Sequence, residues 1–87
     1  MAEAMTEAGV AEGLPRAQAE KLARATVAGA GALLAAEKSP ASQLREAVTS
    51  PGGTTAAAID SFTRDDFQGL ITRAVRAAAA RSRELGR

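Results

Sequence analysis

The 87-residue chain has no cysteine, histidine, tryptophan or tyrosine. Without Cys or His it carries no disulfide, no thiol nucleophile, no Cys/His zinc site and no Ser-His-Asp triad. It also lacks an excess of either charge: 11 Lys and Arg against 10 Asp and Glu give a net charge of +1. That balance argues against a general nucleic-acid or membrane-surface binder. No apolar run approaches the roughly 20 residues that cross a bilayer. The acidic start, Met1 to Glu12, has neither the basic nor the apolar region of a signal peptide, so cytoplasm is the expected compartment. Large apolar side chains are scarce as well. Hydrophobic residues make up 46% of the chain, but 23 of them are alanine, leaving 7 Leu, 4 Val, 2 Ile, 2 Met and 2 Phe. A chain this short buries only about 60% of its unfolded surface in a good case. A deep single-chain core is therefore not expected; close packing of helices between chains is.

What is present is helix. Ala, Leu, Glu, Lys, Arg and Gln dominate, β-branched residues are sparse, and nothing alternates with period two. Five helical segments are expected. The first, Ala2 to Glu12, has no capping residue before it, as if it began inside a longer helix, and Gly13-Leu14-Pro15 ends it. The second runs from Arg16 to Glu37 with a stripe of Leu22, Thr26, Ala30 and Leu33, and Ala23, Val27 and Leu34 beside it. Gly29 and Gly31 in its middle each cost about 0.5–1 kcal/mol relative to Ala, which suggests close approach of another backbone. Ser39-Pro40 suits the start of a third helix, Ala41 to Val48. Thr49 to Gly53 breaks it, and a short helix from Thr54 to Phe62 follows. Thr63 with Asp66 three residues on fits a capping box opening the last helix, Arg64 to Leu85. Phe67, Leu70, Ile71, Ala74, Val75, Ala78, Ser82 and Leu85 form its apolar stripe. Arg73, Arg76 and Arg83 read as a solvated or pairing face.

The segment Val48-Thr49-Ser50-Pro51-Gly52-Gly53-Thr54-Thr55 carries the most chemistry. Paired glycines feed directly into a helix start, where N–H groups lack intrahelical partners and the dipole is positive. Such a place suits a small anion such as a carboxylate, with the Thr54 and Thr55 hydroxyls as further donors. The plainer reading is a turn with Thr54 as helix cap. Gly29-Ala30-Gly31 is not a dinucleotide fingerprint: Leu34 holds the third glycine position and no strand precedes it. Asp65 and Asp66, adjacent on a helix, do not face a common point and read as favourable charges at a helix N-terminus.

Leu44-Arg45-Glu46-Ala47-Val48-Thr49-Ser50-Pro51-Gly52-Gly53-Thr54-Thr55, followed by Ala58-Ile59, resembles the signature segment of pyrroline-5-carboxylate reductases. Gly9-Val10 with Gly13-Leu14-Pro15-Arg16 resembles a helix junction of that family, and Arg81 to Gly86 resembles its C-terminal ending. The resemblance covers essentially all 87 residues. Asp65-Asp66 departs from it, standing where the family often has glycines. The resemblance implies an NAD(P)H-dependent enzyme that makes L-proline, with an N-terminal Rossmann domain and a C-terminal helical dimerisation domain. Only the second is represented, so residues 1–87 are expected to be an all-α dimerisation and substrate-binding domain of a larger enzyme, inactive alone and interlocked in a homodimer. NADPH or NADH would be held by the Rossmann domain and no cofactor or metal by this chain. The implied partners are a second copy, or a higher oligomer, and the small-molecule substrate pyrroline-5-carboxylate or its product proline. By the same resemblance Val48, Ser50, Gly52, Gly53, Thr54, Thr55 and Glu37 line the substrate site. The N–H groups of Gly53, Thr54 and Thr55 would hold the carboxylate, and the Thr55 hydroxyl would act catalytically near the ring nitrogen. The competing expectation is a stand-alone helical oligomerisation or interaction module without catalysis.

Overall fold

A computed structural model describes residues 1–86. It contains α1 (Ala2–Ala11), α2 (Arg16–Ala36), α3 (Ala41–Ala47), α4 (Thr54–Arg64) and α5 (Phe67–Leu85), and no strand among the described residues. The all-α expectation and the order of five helices hold. The helices form two units, Met1–Ala41 and the residues from Ser42 onward.

The first unit is the α1–α2 hairpin. Glu12 caps α1, Gly13 follows at φ +103°, and the Leu14 and Gly13 amides donate to the Gly9 and Val10 carbonyls at 3.0 Å each. This is a Schellman ending, whose left-handed residue favours glycine. Gly9 has a second duty. A Cβ there would lie 3.2 Å from the Ala19 Cβ, so its missing side chain lets α1 and α2 approach closely. Accordingly the buried residues of α2 are Ala19 and Ala23. The expected stripe through Leu22 and Leu33 remains nearly half exposed. Gly29 and Gly31 have no neighbour within 4 Å of where a Cβ would stand, so no backbone of this unit approaches them. Buried Thr6 donates its hydroxyl to the Ala2 carbonyl at 3.0 Å. Across the hairpin Arg16 grips Glu7 in a forked pair, at 2.7 and 3.2 Å. That hydrogen-bonded guanidinium, and then its charge, holds the Glu7 carboxyl below the usual carboxylate range.

In the second unit α3 begins just after Pro40 and ends at Ala47, with the Val48 and Thr49 amides closing back on the Arg45 and Glu46 carbonyls. The last junction corrects the sequence reading. Thr63 does not cap α5: it lies inside α4, its hydroxyl donating to the Ile59 carbonyl at 2.9 Å. Helical backbone runs on through Arg64, so the capping-box spacing from Thr63 is coincidental, and α5 starts three residues later than expected. Asp66 does the joining. As the residue after the α4 cap it takes the left-handed conformation, φ 54° and ψ 52°, and donates its amide to the Thr63 carbonyl. As N-cap of α5 it also accepts from the Gly69 amide at 3.2 Å. Phe62 and Phe67 clasp across the turn with ring centroids 4.9 Å apart, the apolar contact that accompanies such helix endings. A glycine would take this conformation freely; Asp is among the few other residues that tolerate it.

Only Thr6, Ala19 and Ala23 are buried among the described residues. The thin core anticipated from the alanine content is what the helices deliver.

Candidate functional site

The Ser50–Gly53 segment is a tight turn. The Gly53 amide donates to the Ser50 carbonyl at 3.0 Å, with Pro51 and Gly52 between them and Gly52 at φ +74°. Proline then a left-handed residue is the signature of a type II turn. Gly52 is required for its conformation. Gly53 (φ −85°, ψ 179°) is favoured for space, since a Cβ there would stand 3.2 Å from the Ser50 carbonyl oxygen, a tight contact that the turn would have to relax.

The turn delivers the chain into α4 with Gly53 as N-cap, and the first intrahelical bond joins the Ala57 amide to the Gly53 carbonyl at 3.1 Å. Glycine has no side chain to cap with, and Thr54 is the first helical residue, not the cap. The amides of Thr54, Thr55 and Ala56 are therefore the ones left without helical partners. This amends the expected donor set by one residue: the Gly53 amide is committed to Ser50, and Ala56 joins Thr54 and Thr55. Counting from the true N-cap would have found it; the sequence did not mark Gly53 as that cap. Several threonine hydroxyls bond back into the helices, namely those of Thr6, Thr26, Thr49, Thr63 and Thr72. Those of Thr54 and Thr55 are not among them.

Ser50, Gly52, Gly53, Thr54 and Thr55 are thus brought together by one turn and one helix start, Gly53 and Thr55 half-buried and the others exposed. Val48 is exposed just after α3. Glu37 belongs to the first unit, where it ends α2 in extended backbone and donates its amide to the Leu33 carbonyl. The chemistry available at the loop is anion binding: convergent amides at a positive helix end, with hydroxyls beside them. A second-unit groove of about 400 Å³ runs past Arg45, Ile59, Phe62, Asp66, Phe67 and Gln68, and contains none of the expected site residues. The described residues do not fit a dinucleotide. Gly29 and Gly31 sit mid-helix in α2, and no strand leads into any helix start.

Comparison with known proteins gives the family and the fold. Residues 1–85 match the family described as pyrroline-5-carboxylate reductase dimerisation. The pyrroline-5-carboxylate reductase of Synechocystis is 46% identical over 87 residues, all of this chain and 33% of that protein. That of Pseudomonas aeruginosa is 48% identical over 84 residues, 95% of this chain and 30% of that protein. The crystal structure of Plasmodium falciparum pyrroline carboxylate reductase with NADP bound superposes with a TM-score of 0.91 at 31% identity, covering 99% of this chain and 33% of that one. The chain spans about a third of the length of these relatives. It belongs to the pyrroline-5-carboxylate reductase dimerisation family.

Proposed function

We propose that this chain is the dimerisation and substrate-carboxylate domain of an enzyme that reduces 1-pyrroline-5-carboxylate to L-proline with NAD(P)H in the cytoplasm. The nicotinamide cofactor is assigned to a Rossmann domain outside this chain. The observation that carries the reading is the open start of α4, with a glycine N-cap and three amides free of helical partners. The substrate carboxylate lies against the amides of Thr54, Thr55 and Ala56. The helix dipole and directed N–H groups favour it there with little reorganisation. The Thr55 hydroxyl then orients the ring nitrogen and stands within reach of its proton, while Ser50, Gly52 and Gly53 hold the turn in shape and Val48 lines the pocket. The chain contributes position and electrostatics.

Self-association follows from the same helices. Most of the large apolar side chains stay exposed among the described residues, and a second copy would cover them. The reading is tested by Thr55→Ala and Thr55→Ser in the complete reductase. Turnover drops sharply for Ala, largely returns for Ser, and melting temperature holds for both. Unchanged turnover in Thr55→Ala removes the hydroxyl from the reaction. Proline titrated into the isotopically labelled chain shifts the amide signals of Thr54, Thr55 and Ala56 in the carboxylate reading, and leaves them in place for a pure interaction module.

A further inference from the structure

The hydroxyls of Thr6, Thr26, Thr63 and Thr72 each donate to the carbonyl four residues back, and each does so from inside a helix. Helical geometry brings those two groups together, so such bonds are routine. Thr49 makes the same bond from outside a helix. α3 ends at Ala47, yet the Thr49 hydroxyl donates to the Arg45 carbonyl at 2.5 Å. Its amide donates to the Glu46 carbonyl at 3.1 Å, while the Val48 amide reaches the Arg45 carbonyl at 3.3 Å. The final carbonyls of a helix lack intrahelical partners, and Thr49 supplies the two shorter of these three bonds to them. It is half-buried, whereas Val48 and Ser50 on either side are exposed. The next residue belongs to the other helix. The Ser50 Cβ lies 3.5 Å from where a Cβ on Gly53 would stand, and the Ser50 carbonyl accepts the Gly53 amide at 3.0 Å. Successive residues thus hold successive helices: Thr49 is bound to α3, and Ser50 to the N-cap of α4. One peptide unit joins them, and the type II turn fixes residues 50–53 as a unit, so a displacement of Thr49 passes directly into the turn.

We infer that Thr49 is a positioning residue for the substrate carboxylate: its hydroxyl, anchored on the end of α3, sets where the Ser50–Gly53 turn stands at the open start of α4. This rests on the carboxylate reading above and adds to it a residue that touches neither substrate nor cofactor. Without the hydroxyl, residues 48–50 are tied to α3 by backbone bonds alone, one of them the 3.3 Å bond of Val48. The turn then samples more positions, and ordering it becomes part of binding. A loop held in its bound shape beforehand avoids that entropy.

Three variants of the complete reductase test this. Thr49→Val keeps the side-chain shape and removes the hydroxyl, Thr49→Ala removes hydroxyl and methyl together, and Thr49→Ser keeps the hydroxyl. Loss of the anchor weakens substrate and product alike. KM for pyrroline-5-carboxylate and the inhibition constant of proline therefore rise together by about three- to tenfold in Val and Ala, the range of one ordinary hydrogen bond. In both, kcat stays within about twofold, as expected when only uniform binding is lost, and KM for the nicotinamide cofactor does not move. Thr49→Ser returns both constants to near the parent's. A merely structural role lowers the melting temperature and the active fraction, which reduces kcat and leaves KM alone; that pattern overturns the inference. Parent-like constants in Thr49→Val and Thr49→Ala overturn it too, as does a serine variant no better than valine. Thr55→Ala, measured beside them, separates the two failures. If its turnover is unchanged, the site reading falls and the inference with it. If its turnover drops while Thr49→Val binds like the parent, the inference alone is overturned.

Discussion

Substitution of Asp66 separates its two duties. At φ 54° and ψ 52°, alanine pays the left-handed penalty of about 1–2 kcal/mol, part of which Asp already bears. Alanine also loses the bond to the Gly69 amide, about 1 kcal/mol for an N-cap. Asp66→Ala is therefore expected to cost about 2 kcal/mol. Asp66→Gly loses the same bond, but glycine as N-cap costs only a few tenths and takes the conformation freely, so the net effect lies between zero and a gain of about 1 kcal/mol. Asp66→Asn keeps both cap and conformation and gives up the 3.5 Å exposed pair with Arg73, a change within about 0.5 kcal/mol. The expected order is Gly at or above Asp, Asn close to Asp, and Ala well below. Thermal melts followed by circular dichroism at one protein concentration read this order, since association makes the midpoint concentration-dependent. An alanine variant as stable as the parent, or a glycine variant below it, would refute the double role.

Gly52→Ala, at φ +74° with open space around it, is expected to cost about 1–2 kcal/mol through conformation alone; a melt equal to the parent's would show that the turn is not type II. Gly9→Val thrusts its side chain against Ala19 and is expected to destabilise the hairpin by about 1–3 kcal/mol, read as lost amide protection in α1 and the first turns of α2. The Glu7 carboxyl is held below its ordinary range by Arg16. A depressed carboxyl adds stability that is complete above its unfolded pKa and is lost as pH falls through the folded one. The parent should therefore lose stability more steeply than Glu7→Gln as pH drops through the acid range, and more weakly in high salt because the pair is exposed; parallel acid titrations would contradict this.

Helix order and the glycine loop were legible because good helix formers, Pro and Gly punctuate the chain unambiguously. The α4–α5 boundary was not. Thr63 and Asp66 match a capping box in spacing, but where a helix ends is decided by backbone angles, and a lone Asp in left-handed backbone leaves no pattern in the sequence. The packing face of α2 was read only in part, with Ala23 set beside the stripe and Ala19 missed, for a related reason. Hydrophobic periodicity points to Leu22 and Leu33, whereas the face that is buried within the chain is Ala19 and Ala23, chosen because Gly9 opposite leaves room for a close approach. Small-against-small packing carries no large-residue signal. The donor set at the loop slipped by one residue because the commitment of the Gly53 amide to Ser50 depends on the turn type.

The two helix starts of the second unit answer the same electrostatic demand in opposite ways. At α5 the protein supplies its own acid: the Asp66 carboxylate sits 3.2 Å from the Gly69 amide, an internal stand-in for a guest. At α4 the equivalent post is held by glycine. On the proposed reading no tethered rival must be evicted before a free acid enters, and the geometry at α5 is the template of what that visitor would find.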